Sequence, residues 1–180
     1  MSDFIKVAIK DFKTVAALTP TSRFARAKIV SELKEDHKFV VEYGAGDGII
    51  TKEILKKLPP DGRLVAIELN ETFINHLQKI QDERLTIIKG NVVAICKDLS
   101  QLGLPRIDAV ISGIPFSYLP SEKRKEIIEN TYAALAKTGV FIVYQHTPFI
   151  LSKLKLCFRN VCWFFEPRNL FPYFIMIAEK

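Results

Sequence analysis

Along the chain, short runs of β-branched and aliphatic residues alternate with stretches whose apolar positions recur every three or four residues. The runs bounded by turn residues mark strands, and the 3.6-residue spacing marks helices. The first strand is Phe39-Val40-Val41-Glu42-Tyr43, and Gly44-Ala45-Gly46-Asp47-Gly48 follows it directly. A helix comes next with Ile50, Ile54, Leu55 and Leu58 on one side, and Pro59-Pro60 stops it. The alternation predicts a strand at 63–68, a helix at 71–80, a strand at 85–89, a short helix at 93–99 and a strand at 108–112. A helix at 122–137 then feeds a strand at 140–144. Alternation of this kind builds a mostly parallel sheet with helices on both faces. The last stretch differs, because 157–165 and 171–178 are strand-like runs joined by a turn too short for a helix, and they predict an antiparallel hairpin at one sheet edge. The expected class is α/β, doubly wound and mostly parallel, with N-terminal amphipathic helices ahead of it.

In residues 1–18, Phe4, Ile5, Ala8, Ile9, Phe12, Val15 and Ala16 share one arc of a helix, and Lys6, Lys10 and Lys13 stand together beside it. Such a helix can lie in a bilayer interface, each lysine adding about 1 kcal/mol against anionic head groups, or it can pack on the domain. The length of 180 residues predicts one domain, 1–180, whose core runs over 36–180. Hydrophobic residues at 48% and charged residues at 26% exclude disorder and fibrous repeats. The net charge of +6 favours an anionic partner, either nucleic acid or a membrane surface, without choosing between them. Cys96, Cys157 and Cys162 form no C-x-x-C pair and read as core thiols in a reducing compartment. No apolar run reaches the ~20 residues that a bilayer span requires, and the lysines interrupt any signal-peptide core, so the expected location is cytoplasmic.

The glycine loop carries the first chemistry. Between a strand and a helix, Gly44, Gly46 and Gly48 let the chain turn tightly and bring backbone N–H groups to a ligand at a helix N-terminus. Dinucleotide folds space these glycines as G-x-G-x-x-G around a pyrophosphate. The tighter G-x-G-x-G with a leading acid, Glu42, resembles motif I of S-adenosylmethionine-dependent methyltransferases, which implies their Rossmann-like class I sheet. Glu68 ends the second strand, where its carboxylate can accept both ribose hydroxyls. The resemblance implies cofactor binding by Glu42, Gly44, Ala45, Gly46, Gly48, Glu68, Leu69, Asn91 and Val92. Glu42 would lie on the sulfonium side of the cofactor or form a buried salt bridge. Asn91 stands where the family usually carries an Asp; it either meets the adenine amino group or caps the helix that starts at Val92.

Ser112-Gly113-Ile114-Pro115-Phe116 closes the fourth strand, where amino-group methyltransferases carry loops of the N-P-P-Y or N-I-P-F type. In that family, oxygens of the loop hold the amine so that its lone pair faces the methyl carbon, and the aromatic residue packs on the acceptor. Gly113 occupies the Asn position, which leaves Ser112 and backbone carbonyls to orient the nitrogen and suits a flexible alkyl amine better than a base. The plain alternative is an Ile-Pro turn that only ends a strand. Together with Pro20-Thr21-Ser22-Arg23, Gln145 and Asn169-Leu170-Phe171-Pro172, this loop resembles the bacterial phospholipid N-methyltransferases that methylate phosphatidylethanolamine, over nearly the whole chain. The resemblance implies S-adenosylmethionine as cofactor, a phospholipid substrate, an anionic membrane surface as partner and a peripheral place on the inner face of the membrane.

His146 stands where that family commonly has a Tyr, and an imidazole there could take a proton from the substrate ammonium or bond its phosphate. His37 and His76 are expected at the surface. No cluster of His, Cys and acidic residues has metal-ligand spacing. Two other functions fit part of the pattern. An rRNA adenine N6-methyltransferase shares the G-x-G-x-G loop, Ile-Pro-Phe and the basic charge, but those enzymes append a helical RNA-binding domain for which the stretch up to Lys180 is expected to leave no room. Nucleic acid is therefore the less favoured partner. A non-catalytic lipid- or RNA-binding relative would account for the missing Asn and for Asn91, and loss of cofactor binding would mark it.

Overall fold

In the computed structural model, which describes residues 21–180, the first helix begins at a cap: the Ser22 hydroxyl accepts the Ala25 N–H at 3.3 Å and starts α1, Arg23–Ser31. Strands and helices then alternate as β1 (Phe39–Tyr43), α2 (Ile49–Lys57), β2 (Arg63–Glu68), α3 (Glu71–Leu77), β3 (Leu85–Lys89), α4 (Val92–Ile95) and β4 (Ile107–Ser112). They continue as α5 (Ser121–Ala134), β5 (Leu135–Gln145), α6 (Leu151–Cys157), β6 (Asn160–Glu166) and β7 (Tyr173–Glu179). Tight 3₁₀ turns occupy Cys96–Leu102 and Phe116–Tyr118. The seven strands lie in the order β3-β2-β1-β4-β5-β7-β6, parallel through β5, with β7 antiparallel to both its neighbours. The doubly wound α/β class and the C-terminal hairpin are thus present.

Alternate residues of the central strands feed two apolar layers. Val41, Tyr43 and Val110 pack with Ile127 and Ile128 of α5 and Leu154 of α6. Val40, Ala109 and Ile111 pack with Ile29 of α1 and Ile50 and Ile54 of α2. Strands covered on both sides read as continuous apolar runs, which is why Phe39–Tyr43 and Ile107–Ser112 stood out in the sequence. At the amino end of the sheet, Asp108 Oδ2 accepts the N–H groups of Lys38 and Phe39 at 2.9 and 3.0 Å, locking the start of β1 to β4.

Several boundaries move. The helix expected over 122–137 ends at Ala134, and Leu135 already pairs with Ile107; the register then shifts, and the regular β4–β5 ladder resumes at Val140, where the apolar run begins. The helix expected to reach Ile80 ends at Leu77 with a tight turn, the Ile80 N–H donating to the Leu77 carbonyl at 2.9 Å. Helix α6 lies where no helix was expected, because Ile150, Leu154 and Phe158 bury one face at fourfold spacing just before β6. In the hairpin, β6 forms the edge and β7 inserts between it and β5. His37 is buried, its Nδ1 accepting the Lys34 N–H at 3.2 Å, so the expected surface position is wrong; burial holds its pKa below the usual value. His76 is exposed as expected. Of the three thiols only Cys96 is a core residue; Cys157 is half-buried and Cys162 is exposed on the edge strand.

Two sequence pieces 147 residues apart meet: the Ser22 N–H donates to Asn169 Oδ1 at 2.7 Å, and Asn169 Nδ2 donates to the Phe171 carbonyl at 2.8 Å. The start of α1 is thereby fastened to the β6–β7 turn. The amphipathic helix expected over 1–18, and Pro20, lie outside the described residues. Among the described residues, no helix is long and apolar enough to cross a membrane.

Candidate active site

The β1–α2 loop departs from the sheet with Gly44, Gly46 and Gly48 all at positive φ, a region where side chains are strained. The Gly44 N–H donates to the Ile67 carbonyl at 2.8 Å, and a Cβ on Gly44 would come within 2.8 Å of the Ile114 side chain. Glycine there lets the loop after β4 close over the loop after β1. Gly48 forms the N-terminal cap of α2 in a left-handed conformation.

Glu68 fixes the next turn. Its Oε2 accepts the Gly46 N–H at 2.8 Å, and its Oε1 accepts the N–H groups of Leu69 and Asn70, each at 2.8 Å. The carboxylate was expected to accept the ribose hydroxyls; in the structure it holds two loops together through three backbone donors. Two oxygens offer about four acceptor sites, so some capacity toward a ligand remains.

Glu42 is fully buried, and Thr51 of α2 donates to its Oε2 at 2.6 Å. Among the described residues, its Oε1 has no hydrogen-bond partner and no salt bridge forms there. Burial, opposed by the Thr51 bond and reinforced by Glu68 and Asp47, pushes the Glu42 pKa up from 4.5 to about 8. The carboxyl is therefore protonated at neutral pH.

A cavity of about 260 Å³ opens at the carboxyl ends of the parallel strands. Of the residues expected from the sequence, Gly44, Ala45, Gly46, Glu68, Gly113, Ile114 and Pro115 line it. Thr21, Asp47, Ile50, Phe73, Tyr144 and Tyr173 complete its walls. Others stand elsewhere. Leu69 is exposed, and Val92 packs into the core beside α5. Asn91 caps α4, its side chain accepting the Val93 N–H at 2.9 Å, which realises the capping alternative.

Two expectations for the active-site loop are corrected. Phe116, expected to pack on the acceptor, is fully buried and meets Phe141 edge-on at 6.4 Å, because the 3₁₀ turn after Pro115 rotates it into the core. Ser112, expected to orient the nitrogen, is likewise fully buried, on the face of β4 opposite Ile111, away from the cavity. His146 does not line the cavity either; its ring stacks on Tyr173 at 4.5 Å, and its Nδ1 lies 3.1 Å from the Pro172 carbonyl. Tyr144 and Tyr173 belong to no recognised motif. Their one sequence signal is position, at the strand ends where doubly wound sheets bind ligands.

These groups fit S-adenosylmethionine. A left-handed loop open above Gly46, a strand-terminal carboxylate and a buried carboxyl with a free oxygen together suit a ribose-bearing cation. The comparisons agree. A profile of the methyltransferase domain family matches residues 40–139. The ornithine lipid N-methyltransferase of Singulisphaera acidiphila is 31% identical over 96% of this chain and 93% of its own length. Two solved structures share the fold. Precorrin-6y C5,15-methyltransferase from Geobacter metallireducens has a TM-score of 0.70 at 23% identity, covering 89% of this chain and 90% of that one. The 1,6-didemethyltoxoflavin-N1-methyltransferase of Burkholderia thailandensis, solved with S-adenosylhomocysteine, also has a TM-score of 0.70, at 19% identity over 99% of this chain and 85% of that one.

Proposed function

The chain belongs to the methyltransferase domain family, as a class I S-adenosylmethionine-dependent enzyme, and on that premise we propose that it methylates the amine of a membrane lipid, with phosphatidylethanolamine as the candidate acceptor. The observation that carries this reading is the likeness to a lipid N-methyltransferase over nearly the full length of both chains. The burial of Phe116 takes away the ring that would stack on a nucleic-acid base at that position of the loop, which favours an alkyl amine; the exposed ring of this loop is Tyr118, two residues on.

Bound S-adenosylmethionine supplies an electrophilic methyl group on a cationic sulfur. Glu68 would hold the ribose, and Gly44 and Gly46 admit the cofactor close to the backbone. Glu42 has one oxygen that Thr51 does not use, and a ligand donor or positive charge beside it would favour the ionised carboxylate over the protonated form of the empty site. The loop from Gly113 to Pro115 faces the acceptor side and would fix the amine's N–H groups. The amine reacts only when neutral, so turnover is expected to rise with pH through the alkaline range as the ammonium loses its proton to water.

A lipid acceptor requires the cavity to reach the interface. Trp163, Phe164 and Phe165 are exposed along β6, and Leu170 in the following turn is 75% exposed. Lys28 lies 3.4 Å over the Phe164 ring, and Arg168 lies over Phe24 at 4.2 Å. Glu166 pairs with Tyr173, a cavity wall, so this aromatic and basic edge runs up to the rim of the site. Aromatic rings with cations beside them suit an anionic lipid surface, and this edge is the proposed seat of peripheral membrane attachment. Label transfer tests the function: with radiolabelled S-adenosylmethionine and either phosphatidylethanolamine vesicles or rRNA, label is expected in the lipid fraction, and label in RNA would overturn the reading.

A further inference from the structure

We propose that the hydroxyl of Tyr144 stands in for the absent loop amide and accepts an N–H of the acceptor amine beside Gly113; the inference rests on the amine-acceptor reading above. Gly113 is not among the glycines at positive φ, so its backbone does not call for glycine. Space does. A Cβ built on Gly113 would overlap the Tyr144 hydroxyl oxygen and lie 2.7 Å from Cζ of the same ring. The volume in which an Asn side chain would lie is thus filled by the phenol, delivered from β5 rather than from the loop itself.

The phenol is fixed in place by packing. Tyr144 is 8% exposed and packs edge-on against Tyr173 at 5.6 Å and 86°, while its neighbours on the sheet face are Ile111 and Ile175. It lines the cavity together with Gly113 and Ile114. No hydrogen-bond partner for its hydroxyl is found among the described residues, whereas buried tyrosines usually have one. A neutral phenol oxygen can accept an N–H. Burial, with Glu42 and Tyr173 nearby, raises the Tyr144 pKa well above its usual value, so the group stays protonated and orients the amine without acting as a base. A neutral primary amine has two N–H bonds. One would be held by Tyr144 and the other by a loop carbonyl, leaving the lone pair to point along the only remaining direction, toward the cofactor side of the cavity.

Tyr144→Phe removes the oxygen and little else. In assays on phosphatidylethanolamine vesicles, kcat is expected to fall about a hundredfold, while S-adenosylhomocysteine affinity by calorimetry and the shape of the pH profile stay unchanged. A second arm reads the packing alone: Gly113→Ala is expected to lower Tm by about 2–8 °C, and adding Tyr144→Phe is expected to restore only part of it, since Cζ of the ring stays 2.7 Å from the new Cβ. A Tyr144→Phe enzyme with the wild-type kcat, or a Gly113→Ala protein as stable as wild type, overturns the inference. A wild-type enzyme that labels no lipid overturns the acceptor reading and this role with it.

Discussion

At the scale of single residues, Glu42 makes the sharpest thermodynamic statement. In the folded chain it keeps its proton to about pH 8, whereas in the unfolded chain it ionises near 4.5. Between those values the unfolded chain binds fewer protons than the folded one, so folding stability falls as pH rises, by at most about 1.4 kcal/mol per pH unit; below 4.5 and above 8 the slope vanishes. Urea unfolding at pH 5.5 and 7.5 is expected to show wild type losing ground against Glu42→Gln across that step, and parallel stabilities would contradict it. Glu68 acts on two properties at once. Glu68→Ala strands the N–H groups of Gly46, Leu69 and Asn70, so it is expected to destabilise the ligand-free fold by about 1–3 kcal/mol or more and to weaken cofactor binding besides. Unchanged melting with weakened binding would restrict Glu68 to the ribose. Both carboxylates were legible in the sequence, because a motif brackets them. Tyr144 was not, since nothing in a lone Tyr before Gln145 tells which glycine it will touch. Phe116 misled for a related reason: the Ile-Pro-Phe pattern cannot say that a 3₁₀ turn swings the ring inward.

At the scale of elements, the central strands were legible because burial on both faces leaves unbroken apolar runs, and the loop glycines mark where β1 ends. Boundaries near the carboxyl end were less so. Residues 135–137 continue a helical-looking pattern after α5, but Leu135 has already joined β4 and the residues after it bulge before Val140. Helix α6 was hidden because its seven residues run almost directly into β6, and the strand-like run read from Cys157 onward begins at its last residue. The contact between α1 and the β6–β7 turn gives two motif pieces a structural role. Asn169 is buried and serves both Ser22 and Phe171, so Asn169→Ala leaves partners unpaired and is expected to cost about 1–3 kcal/mol by denaturant unfolding. A change within a few tenths of a kcal/mol would mean that the turn and α1 hold together by packing alone.

On the scale of the whole molecule, a chain of net charge +6 carries an exposed aromatic edge that runs up to the cavity rim with Lys28 and Arg168 beside its rings. Charge alone left nucleic acid and membrane equally open in the sequence, and the distinction depends on where Trp163, Phe164 and Leu170 end up. That placement comes from β6 being outermost, a strand order that hydrophobic pattern does not encode. Replacing these three residues by Ser is expected to reduce sedimentation with anionic vesicles severalfold while cofactor affinity is kept; undiminished sedimentation would move the membrane contact to another surface. The central claim is the transfer of a methyl group to a lipid amine, and product mass reads it most directly. With methyl-deuterated S-adenosylmethionine and phosphatidylethanolamine vesicles, the wild-type protein is predicted to place deuterated methyl groups on the head-group nitrogen. Lipid recovered without deuterium, while the same protein binds the cofactor, would contradict the account.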